Sequence, residues 1–349
     1  MLAMQQLNKL KLFMNKHGDI MKDIGSFVEL EFAKGKELFQ DIPETDKIRL
    51  NTCRAAIAHA IKCYNVNKVW IAKYQCDVVR DFLIKQGFEV LYYDIDEKFK
   101  PILESNESDS AIVLTNYFGI LGDKHFDPLV KKYNNVIIDN AQALFYHPRT
   151  DSISCYSPRK FVASPDGAYV IGKNVNRFEY KKDVSSISSQ FLLMRGEFGC
   201  DNECYKNKKE NDKRIDSSDI LIMSDLTQTL LDSFDYEKII KIRQENYQYS
   251  RRLFDKINKI DIENIGDKEA APMGYPLWVD GVEIIPEFHK KRIYQARFWE
   301  YLIQDNQAQT LEYHLAKYMA LICLDQRYGK EEIDYQAEIA RRCISVRKV

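Results

Sequence analysis

Short apolar runs alternate with amphipathic segments between residues 54 and 172. The runs are rich in β-branched and aromatic residues, which favour strands, whereas the segments between them carry apolar residues at helical spacing. This alternation is typical of βαβ units and predicts an α/β protein with a mostly parallel sheet. The predicted strands are residues 69–72, 88–94, 111–116, 136–139, 152–156 and 168–172, and the predicted helices are residues 54–64, 77–86 and a segment that begins near His125.

The pattern changes after the last of these strands. Residues 202–216 are polar and charged, which predicts a mobile loop, and residues 218–258 carry apolar residues at the spacing of one or two long helices. A strand-like run at 274–279 precedes helical segments at 293–304 and 331–343. We therefore predict an N-terminal helical segment, a large α/β domain and a smaller C-terminal α+β domain, at residues 1–30, 31–217 and 218–349.

Composition and charge exclude several classes of function. The 349 residues include 51 Lys and Arg against 52 Asp and Glu, a net charge of −1, so the chain lacks the concentrated positive field that nucleic acids and anionic membranes require. Its apolar stretches fall far short of the ~20 residues of a membrane helix, and the N-terminal residues have the spacing of an amphipathic helix rather than a secretory signal. We expect a cytoplasmic protein without nucleic-acid or membrane partners.

The cysteines and histidines do not have the spacing of metal ligands. Eight cysteines are scattered along the chain, and the one close pair, Cys200 and Cys204, has no nearby histidine to complete a zinc site. The six histidines lie far apart in sequence. We therefore expect free thiols and no metal.

Three features of the α/β part together match the needs of pyridoxal phosphate. Asp139 falls at the carboxyl end of a predicted strand, the sheet edge where ligands bind, and Gln142 and Lys160 follow it. The segment Thr52 to Arg54 opens a helix, where unpaired N–H groups can hold a phosphate. Pyridoxal phosphate requires a lysine for the Schiff base, a carboxylate beside the pyridine nitrogen and a site for its phosphate.

Each of these residues also has an ordinary structural explanation. Thr52 has the residue type and position of a helix cap, and Asp139 has those of a cap or loop acid after a strand. Lys160, beside Arg159, would commonly be a solvated loop charge. Only the combination of the three, in this order along the chain, favours the cofactor site.

The same segments resemble a known family. Residues 136–143, Val-Ile-Ile-Asp-Asn-Ala-Gln-Ala, resemble the Asp-Ala-Ala-Gln/His-Ala segment of the DegT/DnrJ/EryC1/StrS aminotransferases, and residues 157–160, Ser-Pro-Arg-Lys, with Asp-Gly-Ala at 166–168, resemble its lysine segment and following glycine turn. Residues 51–56 stand where the family has Ser-Gly-Thr-Ala-Ala, and residues 223–225 where it has Arg-Met-Ser-Asp. The resemblance covers about residues 50 to 250. It implies fold type I, with a three-layer α/β/α large domain like that of aspartate aminotransferase.

The resemblance also implies roles for individual residues. Lys160 would be the Schiff-base lysine, Asp139 the partner of the pyridine nitrogen and Gln142 a neighbour of the phenolic oxygen of the ring. The remaining residues would bind the cofactor through its phosphate or its ring face: Thr52, Cys53, Arg54 and Ser157 the phosphate, and Tyr74 the ring.

Among the positions at which the chain departs from the family pattern, two concern the phosphate contacts. Cys53 replaces a glycine at the phosphate turn, and Ile220 stands where many relatives have an asparagine that reaches the phosphate across the dimer. These departures put the phosphate contacts in doubt more than the lysine and the acid.

As a function, the resemblance implies a homodimeric pyridoxal phosphate-dependent aminotransferase. It would pass an amino group from an amino acid such as glutamate to a nucleotide-linked keto sugar, in polysaccharide or surface-glycan biosynthesis. Two alternatives stay open: a non-catalytic descendant that binds a sugar or a partner, and a pyridoxal phosphate enzyme of another reaction type, such as a dehydratase.

Two further features have a structural and a functional interpretation. The basic run at residues 289–295 could contact a nucleotide pyrophosphate, but an exposed helix start balanced by nearby acids is favoured. Trp299 is expected in the core or at an interface rather than beside a ligand.

Overall fold

The computed structural model describes Val28, residues 30–304 and residues 308–346. The predicted N-terminal helix lies outside these residues apart from Val28 and Leu30. Residues 34–349 form a compact unit, and the predicted division between residues 217 and 218 stays a prediction. Within the described residues, no helix is long and apolar enough to cross a membrane, and no cluster of three or more His, Cys, Asp or Glu side chains could hold a metal ion.

An eight-stranded sheet lies at the centre of the described unit. Its strands are β1 (Lys47–Leu50), β2 (Lys68–Ala72), β3 (Glu89–Ile95), β4 (Pro101–Ile102), β5 (Ser110–Thr115), β6 (Val136–Asn140), β7 (Ile153–Tyr156) and β8 (Ala168–Ile171). Five neighbouring strands run parallel to one another in the order β7-β6-β5-β2-β3. Beyond β7 lie β8, which is antiparallel to β7, and then β1, which is antiparallel to β8. Beyond β3 lies β4, which is antiparallel to β3. The predicted, mostly parallel sheet is confirmed.

Helices follow most of these strands, and a second sheet lies near the C-terminus. Strands β9 (Gly274–Trp278) and β10 (Met319–Cys323) pair antiparallel. The described helices are α1 (Cys53–Tyr64), α2 (Asp77–Lys85), α3 (Asp123–Lys132), α4 (Gln190–Phe198), α5 (Asn202–Ser217), α6 (Asp225–Leu231), α7 (Tyr236–Phe254), α8 (Ile262–Ile265), α9 (Ile285–Lys290), α10 (Leu311–Tyr318) and α11 (Lys330–Val346).

Both faces of the large sheet are buried, as its continuous apolar strands require. Strand β5 is buried along its whole length. Its Ala111 and Val113 pack in a cluster with α1 and α2, whereas Ile112 and Leu114 pack in a second cluster with α3, α7, α10 and α11. The sheet therefore lies between two helical layers, and the predicted three-layer α/β/α fold is confirmed.

Two segments differ from the prediction. Residues 202–216, predicted as a mobile loop, form α5, because Asp201 caps the helix by accepting the N–H of Cys204 at 2.7 Å and one side buries Cys204, Asn211 and Ile215. The three buried residues are too few, in so charged a segment, for the sequence to show the apolar spacing of a helix. Residues 293–304, predicted as helical, contain only a 3-10 turn at Glu300–Leu302, preceded by Trp299 at φ +58°.

Candidate active site

Seven of the eight predicted site residues line one cavity of about 510 Å³. The cavity lies at the carboxyl ends of β2, β5, β6 and β7 and at the start of α1. Carboxyl ends of parallel strands meet at one edge of the sheet, so residues distant in sequence converge there. The seven are Thr52, Cys53, Arg54, Asp139, Gln142, Ser157 and Lys160.

Asp139 supplies a buried carboxyl group near the end of β6. One oxygen, Oδ1, accepts the N–H of Ala141 at 2.9 Å and lies 3.5 Å from Sγ of Cys53, and Oδ2 accepts Nε2 of Gln75 at 3.0 Å. Burial raises the pKa of Asp139, and the Ala141 N–H and the Lys160 charge offset this only in part. A carboxylate in this state gains stability from an added cation beside it.

Lys160 ends the 3-10 turn Pro158–Lys160 that follows β7. Its side chain is exposed, and among the described residues its Nζ has no hydrogen bond or ion pair. The next residue is held firmly, because the carbonyl of Phe161 accepts Nε2 of Gln326 at 2.8 Å and the guanidinium of Arg243 lies 4.7 Å from the Phe161 ring. The amine of Lys160 is therefore free to react, while the residue that follows Lys160 in the chain is held in place.

The first turn of α1 has the features of an anion-binding site. Thr52 is the helix cap, since its Oγ1 accepts the N–H of Ala55 at 3.2 Å. The amides of Cys53 and Arg54 have no partner within the helix, and the helix dipole makes this end positive. Burial raises the pKa of the Cys53 thiol well above its ordinary value, so the thiol is neutral and adds no repulsion toward a phosphate.

Helix α5 brings two carboxylates to the same cavity. Asp216 accepts Nη2 of Arg54 at 2.8 Å, and Asp212 accepts Nη2 of Arg159 at 2.9 Å and Nζ of Lys208 at 2.6 Å. Arg54 is only 8% exposed, and the Nε atoms of Arg54 and Arg159 are buried without a partner in the part of the chain that is described. Both arginines line the cavity, and a guanidinium carries five N–H donors, so each can bind an oxygen atom of a ligand beside its partner carboxylate.

Gln142 and Ser157 complete the predicted set. Oε1 of Gln142 accepts the N–H of Phe118 at 2.7 Å, which fixes the carboxamide and leaves Nε2 without a hydrogen bond to any described residue. Phe118 has φ +59°, a conformation that few residues with side chains adopt. Ser157 is buried directly after β7 and precedes the turn that carries Lys160.

Tyr74 lies outside the lining of this cavity, and its predicted contact with the cofactor ring stays a prediction. It is fully buried, with its ring edge-on to Trp299 at a centroid distance of 4.2 Å and 5.5 Å from the ring of Tyr117. The next residue, Gln75, turns its side chain to the cavity instead. Trp299, expected in the core or at an interface, lines the cavity beside Tyr74.

Several solved structures with the same architecture are described as aminotransferases, among them a sugar aminotransferase. The chain aligns with Spr1654 of Streptococcus pneumoniae, named as a sugar aminotransferase, at 13% identity over 89% of this chain and 90% of that one, with a TM-score of 0.58. PseC of Helicobacter pylori, an aminotransferase in pseudoaminic acid biosynthesis, aligns at 15% identity over 86% and 87% of the two chains, with a TM-score of 0.56. The chain has the type I aminotransferase fold.

No protein-family model and no curated protein matches the sequence. NtdA of Bacillus subtilis, solved with bound pyridoxamine phosphate, has the same aminotransferase fold at 14% identity over 86% of this chain and 73% of that one, with a TM-score of 0.58. These likenesses confirm the fold that the sequence resemblance implied.

Within this aminotransferase fold, sequence reasoning missed several lining residues. Gln75 is 2% exposed and joins Asp139 to Thr115, whose hydroxyl donates to Oε1 of Gln75 at 3.3 Å. The sequence feature that could have identified Gln75 is its position as a polar residue shortly after a buried strand. The residues of α5 were missed because the segment was predicted as a loop, although Lys208, Asp212 and Asp216 have the i, i+4, i+8 spacing of one helix face.

Proposed function

We propose that this protein is a pyridoxal phosphate-dependent aminotransferase of the DegT/DnrJ/EryC1/StrS type. It would transfer an amino group from an amino acid such as glutamate to a nucleotide-linked keto sugar, in polysaccharide or surface-glycan biosynthesis. One observation carries the proposal: Lys160, whose amine has no hydrogen bond or ion pair with any described residue, and the buried carboxyl of Asp139 line the same cavity as Arg54 and Arg159.

The residues present fit pyridoxal phosphate at each of its polar groups. The buried Asp139 lacks a full cationic partner, which a protonated pyridine nitrogen would provide. The first turn of α1, with Arg54 and Ser157, would hold the phosphate, and Nε2 of Gln142 is a donor for the phenolic oxygen. Arg159 lines the same cavity and could supply a further phosphate contact.

In this scheme each residue has a separate task. When bound, the cofactor withdraws the electrons that are released as the Cα–H bond of the amino donor breaks. Nζ of Lys160 would hold the cofactor and, once free of it, would accept the proton from Cα of the donor and return it. Asp139 would keep the ring nitrogen protonated, and Gln75 holds Asp139 in place through a hydrogen bond of 3.0 Å.

Half-transamination with glutamate tests the reaction type. The cofactor-loaded protein should release one 2-oxoglutarate per site, Lys160→Ala should release none, and Lys182→Ala, which removes an exposed lysine paired with Asp225, should behave as wild type. Failure of the loaded wild-type protein to convert any of a panel of amino donors would contradict the proposal and favour another reaction type.

A non-catalytic role remains the second candidate, because one observation favours it. The arginines beside the helix start are already paired with Asp212 and Asp216 of the same chain. If these pairs permanently replace the phosphate, no absorbance band of a lysine-bound cofactor should form when pyridoxal phosphate is added. A band that is lost in Lys160→Ala would exclude this candidate.

We also propose a cytoplasmic homodimer. Exposed apolar side chains on and before α4 support self-association, since such patches commonly mark interfaces. Ile187 is 76% exposed, Leu193 68% and Phe198 60%. Light scattering should give twice the mass of one chain, and a double variant, Leu193→Lys with Phe198→Lys, should give a monomer, whereas Ile84→Lys on α2 should leave the dimer intact.

A further inference from the structure

A second cavity, of about 470 Å³, lies near the N-terminal end of α5. Three separate segments build it: the end of α4 with the two residues that follow it, residues 291–295 after α9, and the stretch from the end of β10 into the first turns of α11. The helix links this cavity to the candidate active site, because Cys200 just before α5 lines the second cavity and residues of its C-terminal half line the first.

Unpaired cations concentrate in this second cavity. Arg195, Lys291 and Arg292 line it and make no ion pair with any described residue, whereas the adjacent Lys290, outside it, pairs with Glu287 at 2.5 Å. A fourth cation, the lining Arg327, is fixed by two hydrogen bonds of 2.8 Å to the carboxylate of Asp325. Glu332 also lines the cavity, with Oε2 accepting the N–H of Gly329 at 2.9 Å, so the net charge of the wall remains positive.

The backbone of Arg292, which lines this cavity, adopts a conformation that favours glycine. Arg292 has φ +61° and stands where a helix-ending Schellman turn usually has glycine: its N–H donates to His289 O at 3.0 Å, and the N–H of Ile293 donates to Phe288 O at 2.9 Å. A side chain in this conformation reduces stability, and strain of this kind commonly accompanies function.

Aromatic rings line the same cavity. Tyr294 and Tyr335 are 57% and 45% exposed, and the third ring, of Tyr328, lies 5.2 Å from the guanidinium of Arg327. Burial raises the pKa of Tyr328, and Arg195 is close enough for its charge to lower that pKa in part. The cavity therefore combines guanidinium groups, which grip phosphates with paired hydrogen bonds, and flat rings, on which a base can stack.

We propose that the cavity formed by Arg195, Lys291, Arg292 and Arg327 with these tyrosines binds a nucleoside diphosphate. Two phosphates match the several cations, and one base matches the rings. A cavity of this size suits a small ligand rather than a nucleic-acid strand. The ligand has two sources, a free nucleotide or the nucleotide half of a sugar-linked substrate, and only the second rests on the proposed function.

Calorimetry with the five nucleoside diphosphates of adenine, guanine, cytosine, uracil and thymine tests the inference. At least one should bind, and Arg292→Gly should weaken that binding about tenfold while Tm stays equal or rises by about 1–2 °C, because glycine relieves the turn. Lys290→Ala is the matched control in the same basic run and should bind as wild type. Lys160→Ala should also bind as wild type, which separates this site from the proposed catalysis.

Further probes assign the ligand source and the role of the rings. Equal binding of the matching nucleotide-sugar, such as UDP-N-acetylglucosamine beside UDP, would assign the site to a sugar-linked ligand, and binding of the diphosphate alone would assign it to a free nucleotide. Inorganic pyrophosphate that binds as tightly as the nucleotide would overturn the inference, because the rings would then contribute nothing. So would the absence of binding by all five, or binding that Arg292→Gly leaves unchanged.

Discussion

Replacing Asp139 by asparagine should stabilise the cofactor-free protein. Most substitutions of a buried, hydrogen-bonded residue destabilise, so the sign of this effect separates a functional acid from a structural one. Burial raises the pKa of Asp139, which means that the folded chain disfavours the carboxylate relative to the unfolded chain. The Asp139→Asn variant, whose side chain is uncharged, removes that penalty.

The structure sets the size of the effect. Asparagine keeps an oxygen that can accept the N–H of Ala141, a hydrogen bond of 2.9 Å in the wild-type protein. It loses the oxygen that accepts Nε2 of Gln75, unless the Gln75 carboxamide rotates to present its own oxygen. This loss costs up to about 1 kcal/mol. Removing a buried charge gains a few kcal/mol, less what the nearby Lys160 already supplies. We expect a net gain of about 1 kcal/mol, or about 2 °C in Tm.

Thermal and urea unfolding at several pH values provide the assay. Because the folded-state pKa is raised, the penalty is absent below the ordinary pKa of 3.8 and develops as the pH rises, so the two proteins should differ at pH 7 and converge in acid. Asp109→Asn, which alters a carboxylate 67% exposed and paired with Lys68, is the control and should change little. A lower Tm for Asp139→Asn at pH 7 would refute the reasoning and make Asp139 a structural residue.

Three further predictions concern other parts of the molecule. Burial lowers the pKa of His59 from 6.5 to about 4, so the free energy of unfolding should fall by up to about 3 kcal/mol as the pH drops from 6.5 to 4, and His59→Gln should flatten that slope in a urea series. Asp216→Asn should tighten binding of pyridoxal phosphate about fivefold in an absorbance titration, because it frees Arg54 from a carboxylate 55% exposed; weaker binding would mean that Asp216 supports the site. Gln326→Met should slow formation of the lysine-bound cofactor band about tenfold and shift its pH dependence without changing the circular dichroism, because the carbonyl of Phe161, next to Lys160, would keep only its 3.4 Å hydrogen bond from Arg243; an unchanged rate would contradict that positioning role.

The local sequence was sufficient to predict the alternating strands and helices of the large sheet. Strand β6 is apolar at every position before its final Asp139 and Asn140, so its burial and its polar end are both readable from the chain. Lys160 and the start of α1 could be placed because each lies within a few residues of a strand or a helix end. Their convergence then followed from the topology of a parallel sheet.

The remaining site residues depend on tertiary packing. Asp212 and Asp216 meet the cavity only because α5 packs there, and the sequence of α5 is so polar that its buried side gives little signal. Tyr74 and Gln75 are neighbours in an irregular segment after β2, where alternation no longer fixes which side chain points inward. The carbonyls of Lys73 and Gln75 are held by the hydroxyl of Tyr301, at 2.9 and 2.8 Å, a contact that no local pattern contains.

Borohydride reduction of the protein with pyridoxal phosphate, followed by peptide mass analysis, tests the central claim most directly. The account predicts one stable adduct on Lys160, lost in Lys160→Ala, while Lys208, which lines the same cavity but is paired with Asp212, stays unmodified. Modification spread over several surface lysines, or no adduct on Lys160, would contradict the claim that this fold retains its cofactor chemistry.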